Sequence, residues 1–335
     1  MTEPAPTPES IDVLGIGNAL VDVLCHVDED FIGANDLEKG SMTLIDTDRA
    51  ESLYAAMGSS IEMSGGSAAN TIAGIASFGG SAAYLGRVFD DQLGTVFAHD
   101  LRASGVAFRC APATDGPSTG RCLIVVTPDA QRTMNTYLGS SEHFGPEHID
   151  LELVAAAQVT YLEGYLFDRP PSQEAYWKAS QAAHDNGRRV SLTLSDTFCV
   201  ERHRGAWRDL VADQVDILFA NEHEAMALYE VDTFDEALAA ARGEVEIVAI
   251  TCGARGSVVA RGDEVEEIAA HPVEHVIDTT GAGDLYAAGF LFGFTHDRSM
   301  ADCGRLGSVA ASAVLGHLGP RPGMSLAQLA DTLRL

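Results

Sequence analysis

From about residue 150 onward, strand-like and helix-like segments alternate along the chain, and no other feature of the sequence constrains the fold as strongly. Short apolar runs rich in β-branched residues predict strands, and the longer stretches between them predict helices. Such alternation is typical of a doubly wound, mainly parallel central sheet flanked by helices, which is the α/β fold class that we predict. We predict strands at 159–162, 189–194, 217–220 and 245–251, a hairpin at 256–260 and 264–268, and helices near 172–186, 221–229, 234–242, 299–315 and 325–334.

The first half of the chain adds strands that favour a second, smaller sheet. Residues 119–127 and 131–137 flank a Pro-Asp turn and predict a β-hairpin. Together with strands near 21–27 and 40–46, this hairpin would form a small β-sheet lid. We therefore predict one α/β domain at 11–335, with lid strands inserted at about 21–46 and 118–140, after a disordered tail at 1–10. Further strands are predicted at 11–16, 85–88 and 107–110, and helices at 48–57 and 91–104.

Composition excludes several classes of partner. The chain has 21 Lys and Arg against 49 Asp and Glu, and its net charge of −28 repels nucleic acids and anionic membrane surfaces. Its six cysteines form no C-x-x-C pair and no zinc-type cluster, as expected for reduced thiols in a cytoplasmic protein. No apolar run approaches the roughly 18 residues that a membrane span requires. We therefore predict a cytoplasmic protein that acts on small molecules as a monomer or a homodimer.

The segment 276–284 has the composition of a ligand-binding turn. A β-branched pair leads into the small residues 281–283, and an apolar stretch of helical length, 285–294, follows them. The backbone N–H groups of small residues at a helix N-terminus can approach and stabilise an anion. The carboxylate of Asp284 in the same place suits the removal of a proton from a hydroxyl group during phosphoryl transfer. An isolated Gly-Ala-Gly-Asp would equally fit a helix start that is capped by aspartate.

Two other nucleotide-binding patterns are disfavoured or excluded. Residues 15–22 superficially resemble a dinucleotide-binding turn, but the third glycine is missing and residues 21–27 alternate like a strand. A dinucleotide-dependent oxidoreductase is therefore disfavoured. The Walker pattern G-x-x-x-x-G-K-[ST] does not occur in the sequence, so a nucleotide site in this chain must be of another type.

Three motifs, in this order, are similar to the signatures of one enzyme family. They are Gly65-Gly66 followed by Asn70, then Asn221-Glu-His-Glu224, and finally Asp278-Thr-Thr-Gly-Ala-Gly-Asp284. These motifs resemble those of the ribokinase-like (PfkB) carbohydrate and nucleoside kinases, and the last matches the family pattern D-T-x-G-A-G-D at every position. The resemblance covers essentially residues 11–335. Within the family, four further segments are most similar to the adenosine kinases: 17–22, 192–198, 215–222 and 310–312.

The resemblance implies an ATP-dependent transfer of a phosphoryl group to the 5′-hydroxyl of adenosine, which gives AMP, as in purine salvage. Asp284 would act as the general base. The backbone of Gly281, Ala282 and Gly283 would form the anion hole. Arg132, on the predicted hairpin, resembles a lid arginine that reaches the transferring phosphate, and without that role it would be an ordinary exposed turn residue.

The same resemblance implies a nucleoside site in two parts. Polar side chains and close backbone approach would hold the ribose hydroxyls, and apolar or aromatic side chains would enclose the base. The ribose set is Asn18, Asp22, Gly65, Gly66 and Asn70, with Asp284 at the 5′-hydroxyl, and the base set is Leu20, Tyr137, Tyr165 and Phe198. Each residue of the base set, taken alone, would equally fit a core position.

The resemblance also implies where ATP and metal ions would bind. The ATP-binding set is Asn221, Thr251, Gly253, Gly256, Thr279, Gly281, Gly283 and Ala311, with the adenine near Val276, Ala311 and His317. Glu224, together with Asn221, would organise Mg²⁺ through water, because this hard ion keeps much of its hydration shell. A monovalent cation such as K⁺ is a further candidate cofactor.

Two alternatives share these motifs. A sugar kinase of the same family, acting on ribose, fructose or a ketodeoxy sugar acid, would differ only in the base pocket. A catalytically silent relative that only binds ligands is disfavoured, because such a protein has no reason to keep both Asp284 and Glu224.

Overall fold

The computed structural model describes residues 10–129, 131–317 and 319–333. Apart from Ser10, the tail predicted at 1–10 lies outside the described residues. Within the described ranges, no helix is both long and apolar enough to cross a membrane. The predicted domain boundaries, oligomeric state and cytoplasmic location stay predictions.

Fourteen β-strands of the described chain form two sheets. In chain order they are β1 (Ile11–Ile16), β2 (Leu20–His26), β3 (Met42–Leu44), β4 (Ile61–Gly65), β5 (Ala82–Leu85), β6 (Ala107–Phe108), β7 (Gly120–Val126), β8 (Arg132–Tyr137), β9 (Ala157–Glu163), β10 (Arg189–Thr193), β11 (Ile217–Asn221), β12 (Ile247–Thr251), β13 (Ser257–Arg261) and β14 (Glu264–Ile268). The central sheet has nine strands in the order β14-β13-β12-β11-β10-β9-β1-β5-β6. Its strands run parallel from β6 to β12, and β13 and β14 add an antiparallel hairpin at one edge. The predicted fold class is confirmed.

The small sheet has five strands in the order β3-β8-β7-β2-β4. It contains the predicted hairpin as β7 and β8, which pair in antiparallel fashion from Arg121 with Tyr137 to Val126 with Arg132. The edge strand β4 is an addition to the prediction. In the central sheet, β5 ends at Leu85, whereas the sequence predicted a strand at 85–88. The small side chains of Ala82 and Ala83 give the true strand a weak β-pattern.

Twelve α-helices surround the sheets in the described chain. They are α1 (Glu29–Ala34), α2 (Thr47–Ala56), α3 (Ser67–Phe78), α4 (Gln92–Ala103), α5 (Leu151–Ala156), α6 (Pro170–Asp185), α7 (Thr197–Gln214), α8 (Glu222–Tyr229), α9 (Phe234–Arg242), α10 (Ala282–Thr295), α11 (Met300–Leu315) and α12 (Leu326–Leu333). Aspartate side chains accept backbone N–H bonds at the N-termini of five of them, and these are Asp28, Asp46, Asp91, Asp150 and Asp196. Part of the large acidic excess therefore serves to start helices.

Two apolar cores, one on each face of the central sheet, hold the helices in place. On β12, Ile247 and Ala249 pack into one core, and Val248 and Ile250 pack into the other. A strand with both faces covered is apolar at every position, which explains why these segments read as continuous apolar runs in the sequence.

The carboxyl ends of the parallel strands place chain segments along one edge of the sheet, where ligands bind in open α/β folds. At this edge β1 leads through residues 17–19 directly into β2 of the small sheet. Helix α3 begins there at Ser67, and α10 begins there at Ala282.

Candidate active site

A cavity of about 540 Å³ lies between this edge of the central sheet and the small sheet. Segments that are far apart in the sequence meet around it, and they include residues from each of the three motifs. The predicted site residues that line the cavity are Asn18, Leu20, Asp22, Gly66, Asn70, Tyr165, Phe198, Asn221, Glu224, Thr251, Gly281, Gly283 and Asp284.

Asp284 lies in the first turn of α10, where two side chains of α3 hold its carboxylate. Ser67 donates its hydroxyl to Oδ1 at 2.6 Å, and Asn70 donates from Nδ2 to Oδ2 at 3.0 Å. Burial raises the pKa of Asp284 above its usual value, while these two hydrogen bonds oppose the rise. A fixed, partly desolvated carboxylate of this kind suits a general base. Ser67 is absent from the predicted set, although it directly follows the predicted Gly66.

The turn before α10 brings Gly281 and Gly283 to the cavity, whereas the predicted anion-hole N–H of Ala282 donates to the carbonyl oxygen of Thr279 at 3.2 Å. Gly281 has φ +79°, which glycine adopts without strain, and a Cβ there would lie 2.6 Å from the Cβ of Pro320. A Cβ on Gly283 would meet no described heavy atom within 4 Å. Both glycines line the cavity at the positive end of the α10 dipole, so this turn can hold an anion.

Glu163, which the sequence analysis did not single out, organises the two segments that hold the predicted ribose set. It is fully buried at the end of β9. Its Oε1 accepts hydrogen bonds from N and Nδ2 of Asn18 at 3.0 and 2.8 Å, and its Oε2 accepts one from N of Ala68 at 2.7 Å. Burial raises the pKa of Glu163 to about 7, against the effect of these bonds. The sequence signal that could have identified Glu163 is its position as an acidic residue at the end of an apolar strand.

The carboxylate of Asp22 lies directly beside Gly65, on the neighbouring strand of the small sheet. Burial raises the pKa of Asp22 to about 6, and the charges of Arg132 and Arg321 oppose the rise. A Cβ on Gly65 would lie 2.4 Å from Cγ of Asp22, so this glycine makes room for the carboxylate. Gly65 is not among the residues that line the cavity, and its role in binding the sugar stays a prediction. Gly66, with φ +95°, does line the cavity.

One end of the cavity is apolar and aromatic. Tyr165 and Phe198 lie side by side there, with ring centroids 6.2 Å apart, and Leu20 lies in the same cavity. One face of the small sheet contributes further apolar side chains to the cavity, among them Met42, Leu44, Ile124 and Met134.

Tyr137 lies on the other face of the small sheet. Along β8, Met134 and Thr136 face the cavity, so the side chain of the next residue points away from it. The hydroxyl of Tyr137 accepts a hydrogen bond from Thr47 of α2 at 3.2 Å. The assignment of Tyr137 to the base pocket is corrected, because the strand period places it on the wrong face.

Two arginines contact the residues that surround the α10 turn. Arg132 of β8 forms a buried ion pair with Asp278, which ties the small sheet to the turn. Arg132 is not among the cavity-lining residues, and its predicted contact with the transferring phosphate stays a prediction. Arg321, which the sequence analysis did not single out, donates from Nε to Oδ1 of Asn70 at 3.5 Å. This contact orients the Asn70 amide so that its Nδ2 faces Asp284.

The predicted ATP-binding residues are only partly brought to the cavity. Thr251 lines it, and Gly253 and Gly256 lie in the loop that follows, with φ +56° and +99°. Thr279 and Ala311 are not among the lining residues. Nearby, N of Ile277 donates to the carbonyl oxygen of Leu315 at 2.7 Å, which places the exposed segment 276–277 against the end of α11. The roles of Gly253, Gly256, Thr279, Ala311 and His317 stay predictions.

Comparison with known proteins assigns the family. The sequence model described as pfkB family carbohydrate kinase matches residues 41–326. The chain belongs to the pfkB family. Among solved structures, adenosine kinase from Sinorhizobium meliloti is 50% identical to this pfkB kinase, with a TM-score of 0.89 and coverage of 97% of this chain and 99% of that chain. A probable sugar kinase from Rhizobium etli CFN 42 is 48% identical, with a TM-score of 0.90 and coverage of 97% and 98%. Adenosine kinase of Saccharomyces cerevisiae is 26% identical over 327 residues, which cover 91% of this chain and 95% of the relative.

As a pfkB kinase, the chain is a phosphotransferase that uses ATP, and kinases of this kind usually require Mg²⁺. The described residues contain no group of three or more metal-ligating His, Cys, Asp or Glu side chains. Glu224 lines the cavity, but both of its oxygens accept hydrogen bonds from Asn221, from N at 2.9 Å and from Nδ2 at 2.6 Å. This pair therefore fits a hydrated Mg²⁺ held through water rather than one bound directly.

The stability of this pfkB kinase is expected to fall as the pH rises from about 5 to 8. Burial raises the pKa of Asp22 to about 6 and the pKa of Glu163 and Glu224 to about 7, so the folded state keeps protons that the unfolded chain has released. His148, whose pKa is lowered by burial, acts in the opposite direction, but it is one group against three. Denaturant titrations across this range should show the free energy of unfolding decreasing by on the order of 5 kcal/mol.

The variant Glu224→Gln serves as the control for this pH dependence. It removes one of the titrating groups, so the decrease should become shallower. A free energy of unfolding that rises steadily from pH 5 to 8 would contradict the assignment of raised pKa values to these carboxyl groups.

Proposed function

We propose that this pfkB kinase is an adenosine kinase, which transfers the γ-phosphoryl group of MgATP to the 5′-hydroxyl of adenosine and releases AMP and ADP. The observation that carries the proposal is the position of Asp284, held by Ser67 and Asn70 in the same cavity as an aromatic wall. The similarity to adenosine kinase from Sinorhizobium meliloti, at 50% identity, supports the same substrate.

In the proposed reaction, the 5′-oxygen attacks the γ-phosphorus atom. The new O–P bond forms while the bond to the oxygen that bridges the β- and γ-phosphates breaks, and the hydroxyl proton passes to the carboxylate of Asp284. Burial raises the pKa of that carboxylate towards the working pH, where proton transfer is most efficient. The N–H groups of Gly281 and Gly283 offset the negative charge on the transferring group. Bound Mg²⁺ would neutralise charge on the phosphates of ATP.

The ribose would be held by polar groups that the fold fixes before substrate binds. Asn18, Asp22 and Asn70 offer amide and carboxylate groups to the hydroxyls, and Gly66 lets the sugar approach the backbone. Glu163 orients the Asn18 amide, because Oε1 of Glu163 accepts a hydrogen bond from Nδ2 of Asn18. Such preorganisation lowers the entropic cost of placing the 5′-hydroxyl beside the base.

A sugar kinase is the second candidate, because the probable sugar kinase from Rhizobium etli is almost as similar in sequence. The apolar end of the cavity argues against it. A free pentose or hexose would leave the surfaces of Phe198 and Met134 uncovered, whereas a purine base would bury them.

The test is a comparison of acceptors with MgATP as the donor. Initial rates are measured for adenosine, inosine, guanosine, cytidine, ribose and fructose. A kcat/KM that is highest for adenosine supports the proposal. A preference for ribose or fructose would replace it with the sugar kinase, and transfer to none of the six would contradict both.

Replacing Phe198 with alanine is expected to raise the KM for adenosine roughly 10- to 100-fold, with a smaller change in kcat, because the aromatic wall contributes binding rather than chemistry. Steady-state kinetics with varied adenosine measure the effect. Phe234→Ala, on α9 and away from the cavity-lining residues, is the matched control and should leave the KM unchanged. An unchanged KM in Phe198→Ala would remove this ring from the base pocket.

A further inference from the structure

A polar cluster lies next to the two aromatic side chains of the cavity. Asp168, Arg202 and His203 all line the cavity beside Tyr165 and Phe198. The Oδ1 atom of Asp168 accepts hydrogen bonds from Nη1 of Arg202 at 2.7 Å and from Nε2 of His203 at 2.9 Å. None of these three residues belongs to the motifs that define the catalytic turn or the ribose set.

The local backbone explains how the cluster forms. Helix α7 is interrupted at His203, which has φ −128° and ψ 26°, and this break directs consecutive side chains of the helix towards Asp168. The guanidinium of Arg202 lies 5.5 Å from the centroid of the Phe198 ring. The cluster therefore borders the ring that is assigned to the base, and both line the same cavity.

The cluster presents a fixed, charged hydrogen-bond acceptor. Partial burial tends to raise the pKa of Asp168, but the bonds from His203 and Arg202 outweigh it, so the pKa lies below its usual value and the group is a carboxylate at neutral pH. Both bonds reach the same oxygen, Oδ1. Among the described residues, no donor lies within hydrogen-bonding distance of Oδ2. A carboxylate oxygen without a partner accepts an N–H strongly.

We propose that Asp168, positioned by Arg202 and His203, determines the choice of nucleobase by accepting a hydrogen bond from the 6-amino group of adenosine; this inference rests on the proposed function. Adenine carries an amino donor at position 6, whereas hypoxanthine and guanine carry a carbonyl acceptor there. A carboxylate opposite a carbonyl oxygen leaves two acceptors facing each other without a donor. The cluster therefore selects 6-aminopurines over 6-oxopurines.

The experiment removes the two partners of the proposed hydrogen bond, the carboxylate of Asp168 and the 6-amino group of the nucleoside, separately and together. The values of kcat/KM are measured for adenosine and for purine riboside, which has hydrogen in place of the 6-amino group, with the wild-type protein and with Asp168→Ala. The wild-type protein should prefer adenosine roughly 10-fold or more. In Asp168→Ala the preference should fall to about one, because only the reaction of adenosine loses a contact. The variant Asp168→Asn, whose amide can donate to a carbonyl, should raise the inosine-to-adenosine ratio roughly 10-fold.

The control is Glu142→Gln, which removes a neighbouring acidic partner of Arg169 but does not line the cavity, and it should leave all these ratios unchanged. Equal losses for adenosine and purine riboside in the Asp168 variants would overturn the inference, since they indicate a structural role. In that case the proposed function still stands, because adenosine is phosphorylated by the wild-type protein. Absence of transfer to any nucleoside by the wild-type protein would overturn both. Asp168→Asn preserves the shape of the side chain and answers the question if the alanine variant fails to fold.

Discussion

Replacing Asp284 with asparagine is expected to lower kcat for phosphoryl transfer by roughly 10²- to 10⁴-fold, while the KM for MgATP changes little. Asparagine fills the same space beside Ser67 and Asn70 but cannot take up the hydroxyl proton. Burial already disfavours the charge at this position, as the raised pKa shows, so loss of the charge should not destabilise the fold. Steady-state kinetics and thermal unfolding of the same preparation separate the two effects.

Asp263→Asn provides the matched control for the Asp284 variant. Asp263 lies in the exposed turn between β13 and β14, so the same chemical change there should leave both kcat and the melting temperature unaltered. If Asp284→Asn kept more than about a tenth of the wild-type kcat, Asp284 would not be the general base.

The second large effect concerns two glycines of the same turn, which should respond differently to one added methyl group. Gly281→Ala is expected to lower the free energy of unfolding by about 2–4 kcal/mol, because φ is +79° and the new Cβ would press on Pro320. Gly283→Ala meets no described atom within 4 Å and should leave the stability nearly unchanged. Its methyl group would stand at the proposed anion hole, so kcat should still fall roughly 10-fold or more.

Denaturant titrations and kinetics on both glycine variants test this difference. Equal stability of the two variants would show that the turn relaxes around Pro320. Wild-type kcat in Gly283→Ala would show that the transferring group does not approach this part of the backbone.

The fold followed from the sequence because its physical signals are local. Strands that are covered on both faces, such as β11 and β12, are apolar throughout, and the helices between them carry clear caps. The hairpin of β7 and β8 was predicted from two β-rich runs around a turn. Strand β5 was displaced in the prediction because alanine contributes little to a β-pattern, and β4 was missed because it lies directly before the glycine-rich start of α3.

The site was predictable only where a motif carries it. Asp284, Gly281 and Asn70 belong to such motifs, and the structure brings them to one cavity. Glu163 contacts Asn18, which lies 145 positions earlier in the chain, and Arg321 contacts Asn70, which lies 251 positions earlier. No pattern along the sequence indicates such distant pairs. Residue type also cannot show which face of a strand a side chain lies on when both faces are covered by other parts of the protein or by a ligand. Tyr137 on β8 was assigned to the wrong face for that reason.

In the described part of the chain, six carboxyl groups line the cavity, and burial raises the pKa of four of them, which are those of Asp22, Glu163, Glu224 and Asp284. An uncharged nucleoside can enter this cavity without being repelled by the carboxyl groups. Its monophosphate carries about two negative charges into the same space, where those carboxyl groups that are ionised repel it. The proposed reaction thus adds negative charge to a ligand that lies among carboxyl groups, so that the chemical step itself would favour the release of product, apart from the part of the cavity beside the α10 turn.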